Sequence, residues 1–280
     1  MPSLPGRISR GTVAAALLIG SSACALGAGG TAESAPLPSP HSQVKDVPLP
    51  TPHAGFDYQI GGPYQPPAGV QVVSRDHSAP AAAGLYNICY VNAFQAQPGA
   101  EKEWGDLVLR DGDGKVVMDP DWNEALLDLR TADKRGRIAD KVGAWIDECA
   151  GKGYQAVEPD NYDSFTRSQG LLSARNAQDL VKLLSRRAHG KGLAIGQKNT
   201  SELASSRADN GLDFAVAEEC GDQDNCAEYT QYFGNRVIVI EYTEDGLRNA
   251  CDKWGATLSV VRRDRDVTPK GDSAYVRETC

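Results

Sequence analysis

The sequence predicts an α/β protein built as a (β/α)8 TIM barrel. Eight short apolar runs, each about the length of a buried strand, recur through residues 56–280. The later runs alternate with amphipathic helical stretches, as parallel strands joined by crossovers of one hand require. Nearly every run also closes on polar or acidic residues, which in a barrel would collect at one rim.

The runs are Tyr58–Ile60, Val70–Val73, Leu85–Val91, Gln155–Val157, Leu193–Gly196, Phe214–Ala217, Val237–Ile240 and Leu258–Val261. The clearest helix carries Ile138, Val142, Trp145, Ile146 and Cys149 on one face and stops at Gly151 and Gly153. Ser173 can cap the next, with Ala177, Leu180, Leu183 and Leu184 inward before Gly190 and Gly192. Thr243 can cap a third, with Leu247, Ala250, Cys251 and Trp254 inward. These are core positions. His189, in the last turn of the second helix, reads as a C-terminal cap.

A hairpin-like insertion separates the third and fourth runs. Leu107–Leu109 and Val116–Met118 flank Asp111-Gly112-Asp113-Gly114, a strong turn signal. The Asp-x-Asp-Gly string also resembles the start of a calcium loop, but the downstream ligands are missing and a plain turn is expected. The insertion ends at Asp119-Pro120-Asp121-Trp122, on the carboxyl-end side of a barrel, where Trp122 would be a sugar-stacking surface or a lid over the core.

The N-terminus carries Arg7 and Arg10, then the apolar stretch Val13–Ile19, then Ala23-Cys24-Ala25. A basic flank, an apolar segment too short to span a bilayer and an A-x-A site describe a secretory signal peptide, so residues 1–25 are expected to be removed and the chain secreted. Ser21-Ser22-Ala23-Cys24 also resembles a lipoprotein box without its usual leucine, which leaves a lipid anchor at Cys24 as the alternative. Six prolines fall within residues 29–55, so residues 26–55 are expected to form a Pro-rich linker and residues 56–280 the folded domain.

Six cysteines remain beyond the signal: Cys89, Cys149, Cys220, Cys226, Cys251 and Cys280. An even number in an exported chain argues for disulfides. Chain proximity favours Cys220–Cys226, and Cys251–Cys280 would pin the last helix to the terminus, leaving Cys89–Cys149. A metal site is the weaker alternative, because there is no C-x-x-C pair and two of the four histidines lie in the proline-rich leader. Loss of the signal, with its two arginines, takes the formal charge from −8 to −10. No basic run is present, so nucleic acid is not an expected partner.

The residues at and just after the runs are Gly61-Gly62, Ser74-Arg75-Asp76, Asn92, Glu158/Asp160/Asn161/Asp163, Gln197-Lys198-Asn199, Glu218-Glu219, Glu241-Tyr242 and Arg262-Arg263-Asp264. Such a rim suits a ligand rich in hydroxyls and amines. It suits phosphate less well, since no Gly-rich loop precedes a helix. A G-x-S-x-G elbow is absent, so a carboxyl pair is the candidate engine. Asp160 and Glu218 end two runs about 60 residues apart. Ordinary charged loop caps are the bland alternative. Two carboxyls cleave a glycosidic bond without a cofactor, one protonating the leaving oxygen and the other attacking or stabilising the anomeric centre.

Gly84-Leu85-Tyr86-Asn87-Ile88-Cys89-Tyr90-Val91-Asn92, Ala156-Val157-Glu158-Pro159-Asp160-Asn161, Gly196-Gln197-Lys198-Asn199 and Ala217-Glu218-Glu219-Cys220 together resemble glycoside hydrolase family 114. The resemblance runs from about Phe56 to the end. It implies a TIM-barrel endo-α-1,4-polygalactosaminidase, with its catalytic acids at Asp160 and at the first acid of Glu218-Glu219-Cys220. Strand alternation raises a competing expectation. If Phe214 and Val216 face the helices, a regular strand would turn Glu219 inward unless a bulge intervened. The expected catalytic pair is Asp160 and Glu218, with Tyr58, Asp76, Asn92, Trp122, Glu158, Asn161, Lys198, Asn199, Glu219, Glu241 and Tyr242 binding substrate. The expected partner is a cationic, amine-bearing polysaccharide, and neither cofactor nor metal is expected. A monomer is expected. A non-catalytic sugar-binding barrel and a metal-dependent barrel hydrolase are the alternatives.

Overall fold

The computed structural model describes residues 47–280. The expected signal peptide, Cys24 and most of the Pro-rich linker lie outside the described residues. Eight parallel strands form the barrel wall: β1 (Phe56–Gln59), β2 (Val72–Asp76), β3 (Tyr86–Asn92), β4 (Ala156–Asp160), β5 (Ala194–Lys198), β6 (Phe214–Glu218), β7 (Val237–Glu241) and β8 (Ser259–Arg263). They pair in sequence order, and a ninth strand, Arg277–Thr279, lies antiparallel on β8. All eight apolar runs are therefore wall strands.

Strand alternation divides the core in two. Phe56, Tyr58, Val72, Ile88, Ala156, Ala194, Phe214, Val216, Ile238, Ile240 and Val261 pack together inside the barrel. Cys89, Val91, Val157, Ile195, Ala215, Ala217, Val237 and Val239 face outward onto the helices. Gly196 belongs to the inward row, and a Cβ there would lie 2.9 Å from the Phe214 ring. The missing side chain is what lets the Phe214 ring lie inside.

Helix α1 (Ala132–Gly151) starts at Thr131, whose side chain accepts from the Lys134 amide. Helix α2 (Ala174–Gly190) opens with a capping box between Ser173 and Asn176. Helices α3 (Cys226–Phe233) and α4 (Glu244–Trp254) follow β6 and β7, and Thr243 caps α4. His189 pairs with Asp213 across 2.9 Å, joining the end of α2 to the strand entry before β6.

At the start of the barrel, loops rather than helices join β1 to β2 and β2 to β3. The outward residues of β1 are Asp57 and Gln59, both fully buried, which no apolar helix face would satisfy. Arg277 lies 3.2 Å from Asp57, the Tyr64 hydroxyl donates to Asp57 across 3.0 Å, and Arg75 donates to Gln59 across 2.9 Å. Arg277 also donates to the Phe56 carbonyl across 2.8 Å. No ladder joins β8 to β1 among the described residues, so this polar layer binds the ninth strand across the seam.

Residues just before Phe56 also pack onto the barrel. Val47 and Leu49 pack against the inner core, Pro50 and Ala54 are buried, and the Tyr86 hydroxyl donates to the Pro48 carbonyl. Proline-rich composition hid these apolar side chains. The insertion after β3 forms a three-stranded antiparallel sheet from Gln95–Ala96, Glu124–Leu126 and Met118–Asp119, with the expected turn at Asp111–Gly114. Asp111 Oδ1 accepts from the amides of Asp113 and Lys115, as a plain turn does. The disulfides are Cys89–Cys149, Cys220–Cys226 and Cys251–Cys280, of which chain proximity singles out Cys220–Cys226.

Candidate active site

The carboxyl ends of the strands open into one cleft of about 650 Å³. Lys198, the last residue of β5, is almost fully buried at its floor. Its Nζ lies 3.2 Å from Glu158, 3.2 Å from Asp160 and 3.3 Å from Glu218, and donates to the Tyr58 hydroxyl across 3.0 Å. Burial disfavours the ammonium, but Asp160, Glu218 and Glu158 together hold its pKa well above the ordinary lysine value. One cation thus sits at the centre of three carboxylates.

The three acids have different surroundings. Glu158 is fully buried, accepts from Tyr58 (2.9 Å) and Ser74 (2.6 Å), and burial pushes its pKa up despite Lys198. Asp160 ends β4 and accepts from the Tyr90 hydroxyl across 2.6 Å. Burial raises its pKa, but Lys198 and the Tyr90 hydrogen bond outweigh that and leave it below the ordinary carboxylate value. Glu218 ends β6; Asn199 donates to Oε2 across 2.9 Å and Tyr242 bonds to Oε1. Asp160 and Glu218 side chains keep 18% and 21% of their surface, enough to meet a ligand from the cleft. Since both touch one nitrogen, the contacting oxygens stand no more than about 6.5 Å apart.

Alternation decides between the two adjacent glutamates. Phe214 and Val216 lie in the inner core, so Glu218 turns inward on a regular strand without a bulge. Glu219 has φ 58° and swings to the rim, where it lies 3.3 Å from Arg265. Asn161 and Asn199 also have positive φ, 68° and 50°. Each of these three follows the last residue of its strand, so the chain leaves β4, β5 and β6 by the same sharp turn. Asparagine tolerates that conformation better than glutamate does.

Of the expected binding residues, Tyr58, Asp76, Trp122, Asn161, Lys198, Asn199, Glu219 and Tyr242 line the cleft. Trp122 is 48% exposed there, so it is no lid over the core. Three do not line it. Glu158 lies beneath Asp160, covered by Tyr58 and Ser74. Asn92 lies behind Glu124, to which it donates across 2.8 Å. Glu241 is in the outward row of β7 and holds the Gly221 amide across 2.7 Å, behind the loop that follows Glu218. Sequence reading missed Tyr90, Glu124, Arg167 and Arg265. Tyr90 was signalled by its place two residues before Asn92; the others lie on loops whose register only the folded chain sets.

A nearly closed ring of parallel strands with two accessible carboxyls at its carboxyl-end rim defines a barrel hydrolase site of the glycosidase kind. The chain belongs to glycoside-hydrolase family GH114, whose family model matches residues 37–280. It is accordingly a glycoside hydrolase. Among solved structures it resembles Aspergillus fumigatus Ega3 in complex with galactosamine, at 23% identity and TM-score 0.66, over 83% of this chain and 97% of that one. It also resembles the glycoside hydrolase domain of PelA from Pseudomonas aeruginosa, at 13% identity and TM-score 0.54, over 80% and 99%. These likenesses concern the fold. No curated protein matches the chain.

Proposed function

We propose that the chain is an exported endo-acting hydrolase that cleaves internal α-1,4-galactosaminidic bonds in galactosamine-containing exopolysaccharide. The observation that carries this is the Asp160–Lys198–Glu218 cluster at the floor of an acid-lined cleft. Ten carboxylate residues line that cleft against three cationic ones, Arg167, Lys198 and Arg265. An amine-bearing polymer would be drawn to such a surface and a neutral one would not. The galactosamine in the complex of Ega3 supports the same substrate class. Three disulfides and the sequence of residues 1–25 support export.

Asp160, kept ionised by Lys198 and Tyr90, serves as the nucleophile that takes the anomeric carbon. Glu218 protonates the leaving glycosidic oxygen and later takes a proton from the attacking water. Its carboxyl is oriented by Asn199 and Tyr242. The contacting oxygens stand no more than about 6.5 Å apart, the lower end of the spacing inverting enzymes need for a water, about 6.5–9.5 Å, which favours retention. Mass spectrometry of products from a galactosamine exopolysaccharide tests the reading. A ladder of short galactosamine oligomers is expected; intact polymer, or release of monosaccharide alone, would contradict it.

A further inference from the structure

We propose that Glu124 is the amine-recognition residue of the cleft, receiving the C2 ammonium of the sugar that reacts at Asp160; this rests on the galactosaminidase reading above. Glu124 comes from the insertion sheet after β3, not from a wall strand, and is only 8% exposed. Its Oε2 accepts from Asn92 across 2.8 Å and Asn161 across 3.4 Å. No donor among the described residues bonds to Oε1, yet the residue lines the cleft. Oε1 is not buried but open to the cleft, where a donor on a ligand can complete this otherwise nine-tenths buried carboxylate.

The missing partner is a cation. Every positive side chain lining the cleft is already engaged: Lys198 by three acids, Arg167 by Asp119 and Asp163, Arg265 by Glu219. None of them reaches Glu124. Asn161 follows Asp160 directly and donates to Glu124, which places this carboxylate beside the nucleophile. The nitrogen on C2 is two bonds from the anomeric carbon that Asp160 attacks, so an ammonium there would fall within reach of Glu124. Acetylation would remove the charge and add bulk. Burial, with the charges of Asp160 and Asp119 adding to it, pushes the Glu124 acid up to about 7 while the Asn92 hydrogen bond and Arg167 oppose the rise; an ammonium would draw it back to the ionised form.

The test is calorimetric binding of galactosamine and N-acetylgalactosamine to the full mature protein and to Glu124→Gln, alongside hydrolysis of free-amine and acetylated oligomers. The native protein should prefer the amine by at least about tenfold, the size a charge-assisted hydrogen bond carries. Glu124→Gln should erase that preference by weakening amine binding while changing acetylated binding by less than about threefold. Equal losses on both sugars, or a preference that survives, overturn the proposal. A preference lost in Glu124→Gln without cleavage of any polymer would leave the amine subsite standing and refute the hydrolase specificity instead.

Discussion

Lys198 governs the charge of the site, because three carboxylates within 3.3 Å of one ammonium cannot keep their charges without it. Its removal by Lys198→Met would let burial and like-charge repulsion raise Asp160. A nucleophile must be ionised, so the acid limb of the kcat/KM profile should move up by about one pH unit or more. Stability should fall more at pH 8 than at pH 5, where protonation relieves the unpaired acids. An unmoved acid limb would show that Lys198 serves packing alone. At this scale the sequence was legible at the ends of four strands: Asp160, Lys198, Asn199, Glu218 and Tyr242 all line the cleft. Glu241 was not, because Val237, Ile238, Val239 and Ile240 are all apolar and such a strand does not declare which row faces in.

At the scale of elements, Glu241 ties β7 to the loop after Glu218, and its other oxygen lies against Gly246 of α4. Burial pushes its carboxyl up to about 7, against the opposing hydrogen bonds from the backbone at Gly221 and Asp222. The folded state therefore keeps a proton that the unfolded chain loses above about pH 4.5, and the stability this gives is full below that point and lost as pH rises through 7. Glu241→Gln, neutral throughout, should lack that loss, gaining about 2 kcal/mol on the native protein between pH 5 and 8 in thermal unfolding. A constant difference would contradict it. Gly246 gives a second test, since a Cβ there would collide with Glu241 Oε2. Ala for Gly inside a helix normally gains about 1 kcal/mol, whereas Gly246→Ala should lose about 2 kcal/mol or more by the same assay. The missing helices beside β1 were illegible for a related reason. Asp57 and Gln59 are satisfied from Arg277, Tyr64 and Arg75, and Arg277 lies at the far end of the chain.

Across the whole molecule, charge and cross-links set behaviour in solution. An acid-lined cleft in a chain of net charge −8 should bind an amine polymer through a long-range field, so KM should rise with ionic strength and with chemical N-acetylation. Turnover indifferent to both would remove the electrostatic basis for the substrate. The chain from residue 26 onward should show no reactive thiol when denatured without reductant, because its six cysteines are all paired. Two or more titratable thiols would contradict that. The fold was readable at this scale because strand runs, helix caps and turn residues agree with one another. The barrel seam was not, since no local pattern marks where a sheet closes.

Asp160 and Glu218, and not Glu219, are proposed to perform the chemistry. Reducing ends released from a galactosamine polymer by Asp160→Asn, Glu218→Gln and Glu219→Gln, each checked for fold by circular dichroism, measure it directly. The first two should fall by about 10²–10⁴-fold or more, while Glu219→Gln, turned to the rim against Arg265, should stay within about threefold of the native rate. An active Asp160→Asn, or an inactive Glu219→Gln beside a normal Glu218→Gln, would contradict it.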